Sequence, residues 1–242
     1  MSIYHPYTIF PLGDSALIID FGNQIDEHIN RKVFNLYFHL KSRTLSYITD
    51  LVPAYSSLAV YYNVVSVHYI NHEKTAFETM AEMIENITAF ETEINIIQPK
   101  NIRVPVCYES KFAPDLQEVA SAKKLSGAEV IHLHTSKKYR VYMLGFLPGF
   151  PYLGEVDEKL AMPRKSEPRL KVNTGSVGIA GKQTGIYPIE SPGGWQIIGC
   201  TPLSIFNKED INNPVLFSAG DEVTFYSISE DEFDHYKAGH TR

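Results

Sequence analysis

Over the first hundred residues, the spacing of apolar side chains switches between the strand period of two and the helical period of 3.6. Ala16–Phe21 (ALIIDF) follows the turn-prone PLGD and predicts a strand. The next segment, Asp26–Lys41, places Ile29, Val33, Leu36, Tyr37 and Leu40 on one helical face. Ser56–Asn63 (SSLAVYYN) is β-rich, and His72–Ile87 returns to helical spacing through Phe77, Met80, Met83, Ile84 and Ile87. A short strand over Thr92–Ile97 (TEINII) closes the unit. The order β-β-α-β-α-β predicts an open α+β sandwich with both helices on one face of its sheet.

The pattern changes at the polar break Gln98-Pro99-Lys100, which predicts one domain over residues 1–98 and another over 99–242. A helical interlude runs from Ala113–Leu125 into Ser126–His134. Pro114 suits its first turn, and Ser126 with Glu129 has capping-box spacing. After Tyr139 short β runs alternate with Gly and Pro. Ten of the 15 glycines fall between Gly145 and Gly199, a density that suits the tight corners of an all-β barrel.

Composition narrows the function classes. At 44% hydrophobic the 242-residue chain can fill real cores. A formal charge of −6 and the absence of a Lys/Arg stripe argue against nucleic acid as a partner. Cys107 and Cys200 lie far apart without C-x-x-C spacing, so neither a zinc site nor a disulfide framework is expected. No basic-then-apolar leader opens the chain and no apolar run is long enough for a membrane span, so a cytoplasmic protein is expected.

Several fragments suggest chemistry. GSVGIAGKQT approaches a phosphate loop, but five residues separate Gly175 from Gly181 and Gln183 stands where Ser or Thr would hold magnesium. TGSVG misses a nucleophile elbow because Thr174 replaces its first glycine, and Ser176 reads as a barrel residue. His132 and His134 lack a carboxylate at ligand spacing, so no metal is expected there. MPRKSEPRLK concentrates Arg164, Lys165, Arg169 and Lys171 between and beside stiffening prolines, an arrangement that suits carboxylate or phosphate recognition. Gly181–Gly199 combines five glycines and two prolines with the sole tryptophan, Trp195, which marks a rigid segment rather than a linker.

Taken in order, YRVYMLGFLPGFPYLG, MPRKSEPRLKV, GSVGIAGKQTGIYPIESPGGWQIIG and TPL resemble the signature of the allophanate hydrolase subunit 1 family. The opening PLGDSALIIDFG agrees as well, so the likeness covers essentially the whole chain. The resemblance implies a ferredoxin-like α+β domain followed by a mainly-β, cyclophilin-like barrel of the carboxyltransferase subdomain C/D type. It also implies a chain that works with a subunit 2 protein, the C-type component of 5-oxoprolinase, and with an A-type component. Together these hydrolyse a small-molecule lactam, 5-oxo-L-proline, to L-glutamate with ATP and Mg²⁺ supplied at the level of the complex. Other members imply inhibition of sensor histidine kinase autophosphorylation, or carboxyl transfer to a urea-derived substrate.

Carried onto matching positions, the resemblance gives Arg164 and Arg169 a cationic role and His134 proton transfer. Gln183 and Thr184 become hydrogen-bonding groups, and Tyr152, Tyr187 and Trp195 apolar walls. Gly193 and Gly194 would admit a close backbone approach. The chain departs from the family pattern at Asn173, Thr174 and Cys200; the last removes a guanidinium beside the expected site.

Overall fold

The computed structural model of the chain describes residues 7–88 and 99–239. The chain divides into two compact units, Met1–Gln98 and Pro99–Arg242.

In the first unit, β1 (Thr8–Pro11), β2 (Ala16–Asp20), β3 (Ile48–Pro53) and β4 (Ser57–Tyr62) form an antiparallel sheet of order β1-β2-β4-β3. Leu17 pairs with Val60 and Ile19 with Leu58, which sets these four side chains on one face. Helix α1 (Glu27–Ser42) lays Val33, Leu36 and Leu40 on that face, and α3 (Ala76–Thr88) adds Met80 and Ile84, all within one buried cluster. Asn30 is also fully buried, although the apolar spacing of α1 gives it no place in the core; its amide donates to the carbonyls of Ala54 and Tyr55.

Two elements escape the apolar pattern. Strand β3 is interrupted by Asp50 and Pro53 and pairs with β4 alone among the described residues, so its alternation is weak. Helix α2 (Val64–His68) is rich in β-branched valine, but the Asn63 side chain caps it by accepting the Ser66 amide at 2.9 Å. The strand expected over 92–97 lies outside the described residues.

The second unit is a closed seven-stranded barrel of order β10-β7-β6-β13-β5-β12-β9. Its strands are β5 (Asn101–Cys107), β6 (Lys138–Leu144), β7 (Pro151–Gly154), β9 (Ser176–Ala180), β10 (Gln183–Ile186), β12 (Gln196–Cys200) and β13 (Glu222–Ile228). The first and last of them, β5 and β13, run parallel, with Asn101 beside Glu222. Val104, Val141, Leu153, Ile179, Ile198 and Phe225 fill the interior. Helices α4 (Leu116–Lys123) and α5 (Gly127–Thr135) continue this core through Leu116, Val119 and Val130. Ser126 and Glu129 form the expected capping box at the start of α5. Pro114 is not in the first turn of α4: it precedes Asp115, the residue that occupies the N-cap position. Helix α6 (Glu230–Gly239) covers Cys107, Cys200 and Ile228 with Phe233.

With the interior filled, the outer face of β7, β10, β9 and β12 holds a second cluster made by Phe150, Tyr187, Trp195 and Ile197, with Tyr152 packed against it. The sequence allows this because Gly185 and Gly178 are cross-strand partners. A Cβ at Gly185 would stand 2.8 Å from the Phe150 ring, and one at Gly178 would stand 3.0 Å from the Trp195 Cβ. The paired glycines are therefore a flat floor for two aromatic rings, and not the barrel corners their density suggests. A ribbon of β8 (Arg169–Val172) with β11 (Ser191–Gly193) lies in the same unit. Replacing Gly185 by Ala should cost about 1–3 kcal/mol by overpacking; urea denaturation of the purified chain reads this, and an unchanged midpoint would remove the glycine floor from the account.

Candidate functional site

The outer cluster is held edge to face. The Phe150 ring meets Tyr187 at 5.2 Å and Trp195 at 5.3 Å, both near perpendicular, and Tyr152 lies 4.9 Å from Phe150. Gly193 is required here because a Cβ would collide with the Tyr187 hydroxyl. Tyr187 and Trp195 are almost fully buried, so they back the site, while Tyr152 is half-buried and presents an edge. Phe146 stands over them, 62% exposed, with its ring edge-on to Phe150. Its backbone is left-handed at φ +67°, a conformation costly for an aromatic residue.

The basic loop between β7 and β8 is pinned beside this cluster. The Lys165 amide donates to the Gly194 carbonyl at 2.7 Å, and Gln196 Nε2 donates to the Pro163 carbonyl at 3.1 Å. Charge pins it further. Asp115, only 2% exposed at its side chain, receives Arg169 Nη2 at 2.5 Å and Lys165 Nζ at 3.0 Å. Lys165 also reaches Glu118 at 2.8 Å, and Lys171 reaches Glu190 at 2.6 Å. Of Arg164, Lys165, Arg169 and Lys171, Arg164 alone makes no ion pair among the described residues, and it is exposed. Burial pushes the pKa of the Tyr152 and Tyr187 phenols up, and Arg164 draws both back down; the Trp195 amide and Arg169 add to that pull on Tyr187. Two guanidinium groups and two phenols thus share one electrostatic neighbourhood, suited to an anion with an apolar body.

Arg164, Arg169, Tyr152, Tyr187, Gly193, Gly194 and Trp195 are brought together on the outer face. Gln183 lies on that side too, since it pairs with Ala180 of the outer cluster, but at the hairpin end of β10. His134 and Thr184 do not join them. Thr184 is fully buried on the inner side of β10, donates its hydroxyl to the Gly178 carbonyl at 3.0 Å and accepts His134 Nε2 at 3.0 Å. With its one hydrogen spent on Gly178, Thr184 requires the proton on Nε2; Nδ1 then accepts the Tyr108 hydroxyl at 2.8 Å. The ring also stacks on Phe225 at 4.5 Å. The structure thus places His134 and Thr184 in the barrel core, hydrogen-bonded to each other and apart from the outer cluster.

Two residues of the site are silent in the sequence. Asp115 before a helix reads as a cap, and nothing local shows that its carboxylate is turned to Arg169, 54 positions on. Gln196 within a β run carries no signal of its own.

Residues 7–217 match the carboxyltransferase domain, subdomain C and D, and the chain belongs to that family. It is 44% identical over 233 residues to the B subunit of 5-oxoprolinase from Bacillus subtilis (strain 168), covering 96% of this chain and 97% of that protein. The protein of the same name from Escherichia coli O157:H7 is 36% identical, with 90% and 95% covered. Among solved structures, TTHA0988 superposes with a TM-score of 0.76 at 33% identity, over 88% of this chain and 40% of that longer one.

Burial alone pushes His134 down to about 3. Between that value and the ordinary 6.5 the unfolded chain binds a proton that the folded chain does not, so stability falls as pH falls through this window. In a His134→Gln variant, less stable at pH 7, the deficit relative to the parent should shrink by about 1.4 kcal/mol per pH unit on acidification. Urea titrations from pH 7 to 4 measure it, and a deficit constant across that range would show that His134 takes up its proton in the fold as it does in the unfolded chain.

Proposed function

We propose that the chain is the B component of a heteromeric, ATP-dependent 5-oxoprolinase, opening 5-oxo-L-proline to L-glutamate with a C-type and an A-type component. One observation carries the reading: identity of 44% across nearly the full length of both chains with a protein named for that role, within a family whose fold this chain has. The first unit is taken as ferredoxin-like on the support of its antiparallel sheet with α1 and α3 on one face, and the barrel as cyclophilin-like. The assembly is taken as cytoplasmic, where ATP is available.

The outer face supports this chemistry in kind. A lactam bearing a carboxylate needs cations for its charge and an apolar wall for its ring, which Arg164, Arg169 and Tyr152 offer with Tyr187 and Trp195 behind them. The nucleotide fits this chain poorly. Lys182 lies in the hairpin between β9 and β10 rather than at a helix start, and it pairs with Glu158 at 3.2 Å. No group of three or more His, Cys, Asp or Glu that could hold a metal occurs among the described residues. We assign the anionic substrate to this face and ATP with Mg²⁺ to the complex as a whole, with the chain inactive by itself.

Co-purifying the chain with its C-type and A-type partners and measuring glutamate formed from 5-oxoproline tests the proposal: ATP-dependent product is expected, and none from a demonstrably assembled complex would sink it. Arg164→Ala, at an exposed cation without an ion pair among the described residues, should lower kcat/KM by about tenfold to a hundredfold with an unchanged melting temperature. Arg169→Ala should lower both, because it also strips a partner from buried Asp115.

A further inference from the structure

The least explained charge in the barrel unit is Asp115. It occupies the N-cap position of α4 but makes no side-chain bond to that helix, although capping is the ordinary use of an aspartate there. Its carboxylate is turned away. Oδ1 receives Arg169 Nη2 at 2.5 Å and Lys165 Nζ at 3.0 Å, while Oδ2 receives the Ile197 amide at 2.6 Å. The Asp115 amide also donates to the Ile197 carbonyl at 2.9 Å, so its backbone is locked to β12. A carboxylate this deeply buried tolerates only arrangements that keep its partners close. Arg169 is thereby tethered through Nη2, and its Nη1 is left buried with no hydrogen-bond partner, an unusual state for a guanidinium. Tyr187, at the back of the outer cluster, feels the Arg169 charge.

We propose that Asp115 is a positioning residue: by engaging Nη2 it fixes the Arg169 guanidinium beside Tyr187 of the outer cluster, where its charge serves an anionic substrate. The inference deepens the 5-oxoprolinase reading and rests on it for the identity of that anion. Asp115 touches no substrate and acts through Arg169.

A double-mutant cycle tests this in the assembled complex. Asp115→Asn keeps the volume and an acceptor for the Ile197 amide but removes the charge. It should raise KM for 5-oxoproline by about tenfold, with a smaller effect on kcat. Arg169→Lys should do the same, and the double variant should be no worse than Arg169→Lys alone. Asp115→Glu, which keeps the charge, should restore most of the loss, and Asp115→Ala replaces the Asn variant in the cycle if that variant fails to assemble. Losses that multiply in the double variant would overturn the proposal, since Asp115 would then act independently of Arg169. A second arm needs no turnover: in the full ¹⁵N-labelled chain, the Arg169 Nε–Hε resonance, assigned by its loss in Arg169→Lys, should be resolved and slowly exchanging. It should collapse toward free arginine in the Asp115 variant, and an identical resonance in both chains would also overturn the proposal. If the parent complex makes no glutamate, the 5-oxoprolinase reading fails, and this second arm still decides the role of Asp115.

Discussion

The barrel of this chain is full, and that constraint shapes everything else about it. Seven strands close around a core of branched and aromatic side chains, and His134, buried among them, is hydrogen-bonded at both nitrogens. The cluster that brings the tyrosines and the tryptophan together lies instead on the outer surface of the sheet. A strand surface is ordinarily ridged by its own side chains. The Gly178 and Gly185 pair removes two ridges at one spot and lets Phe150 and Trp195 lie against the backbone. The aromatic cluster then supplies a rigid back wall against which a proline-rich loop becomes fixed.

The segment 162–171, which runs from that loop into β8, carries four cations, yet most of their charge is already answered by Asp115, Glu118 and Glu190. A cluster that looks strongly basic in sequence is close to neutral in place, with Arg164 as the outlying positive group. Such a balance gives the segment little long-range pull on polyanions, which agrees with the acidic balance of the chain as a whole.

The features legible in the sequence are those written in local periods and turn chemistry. The apolar face of α1, the Ser126 and Glu129 capping box and the β-rich character after Tyr139 belong to that group, as do the aromatic and arginine residues of the outer face. The features that mislead depend on which strand lies beside which. Glycines that look like corners turn out to be neighbours in mid-sheet. His134 sits two residues from exposed His132, and only the helix phase of α5 sends one ring into the core and the other to solvent. Asp115 has the same appearance whether it caps a helix or answers an arginine on another strand. Strand β3 leaves little trace because an edge strand with Asp50 and Pro53 needs only one side to be apolar.

The parallel pairing of β5 with β13 bears on how the protein is made. Every other barrel contact joins strands running in opposite directions, but this seam brings Asn101 next to Glu222, so the ring is sealed by the beginning and the end of its own unit. During synthesis β5 emerges first and must wait, with one edge bare, until the last strand has left the ribosome. Chains cut short before Ile228 would expose two unpaired edges at once, and the nascent barrel would be at its most adhesive just before completion.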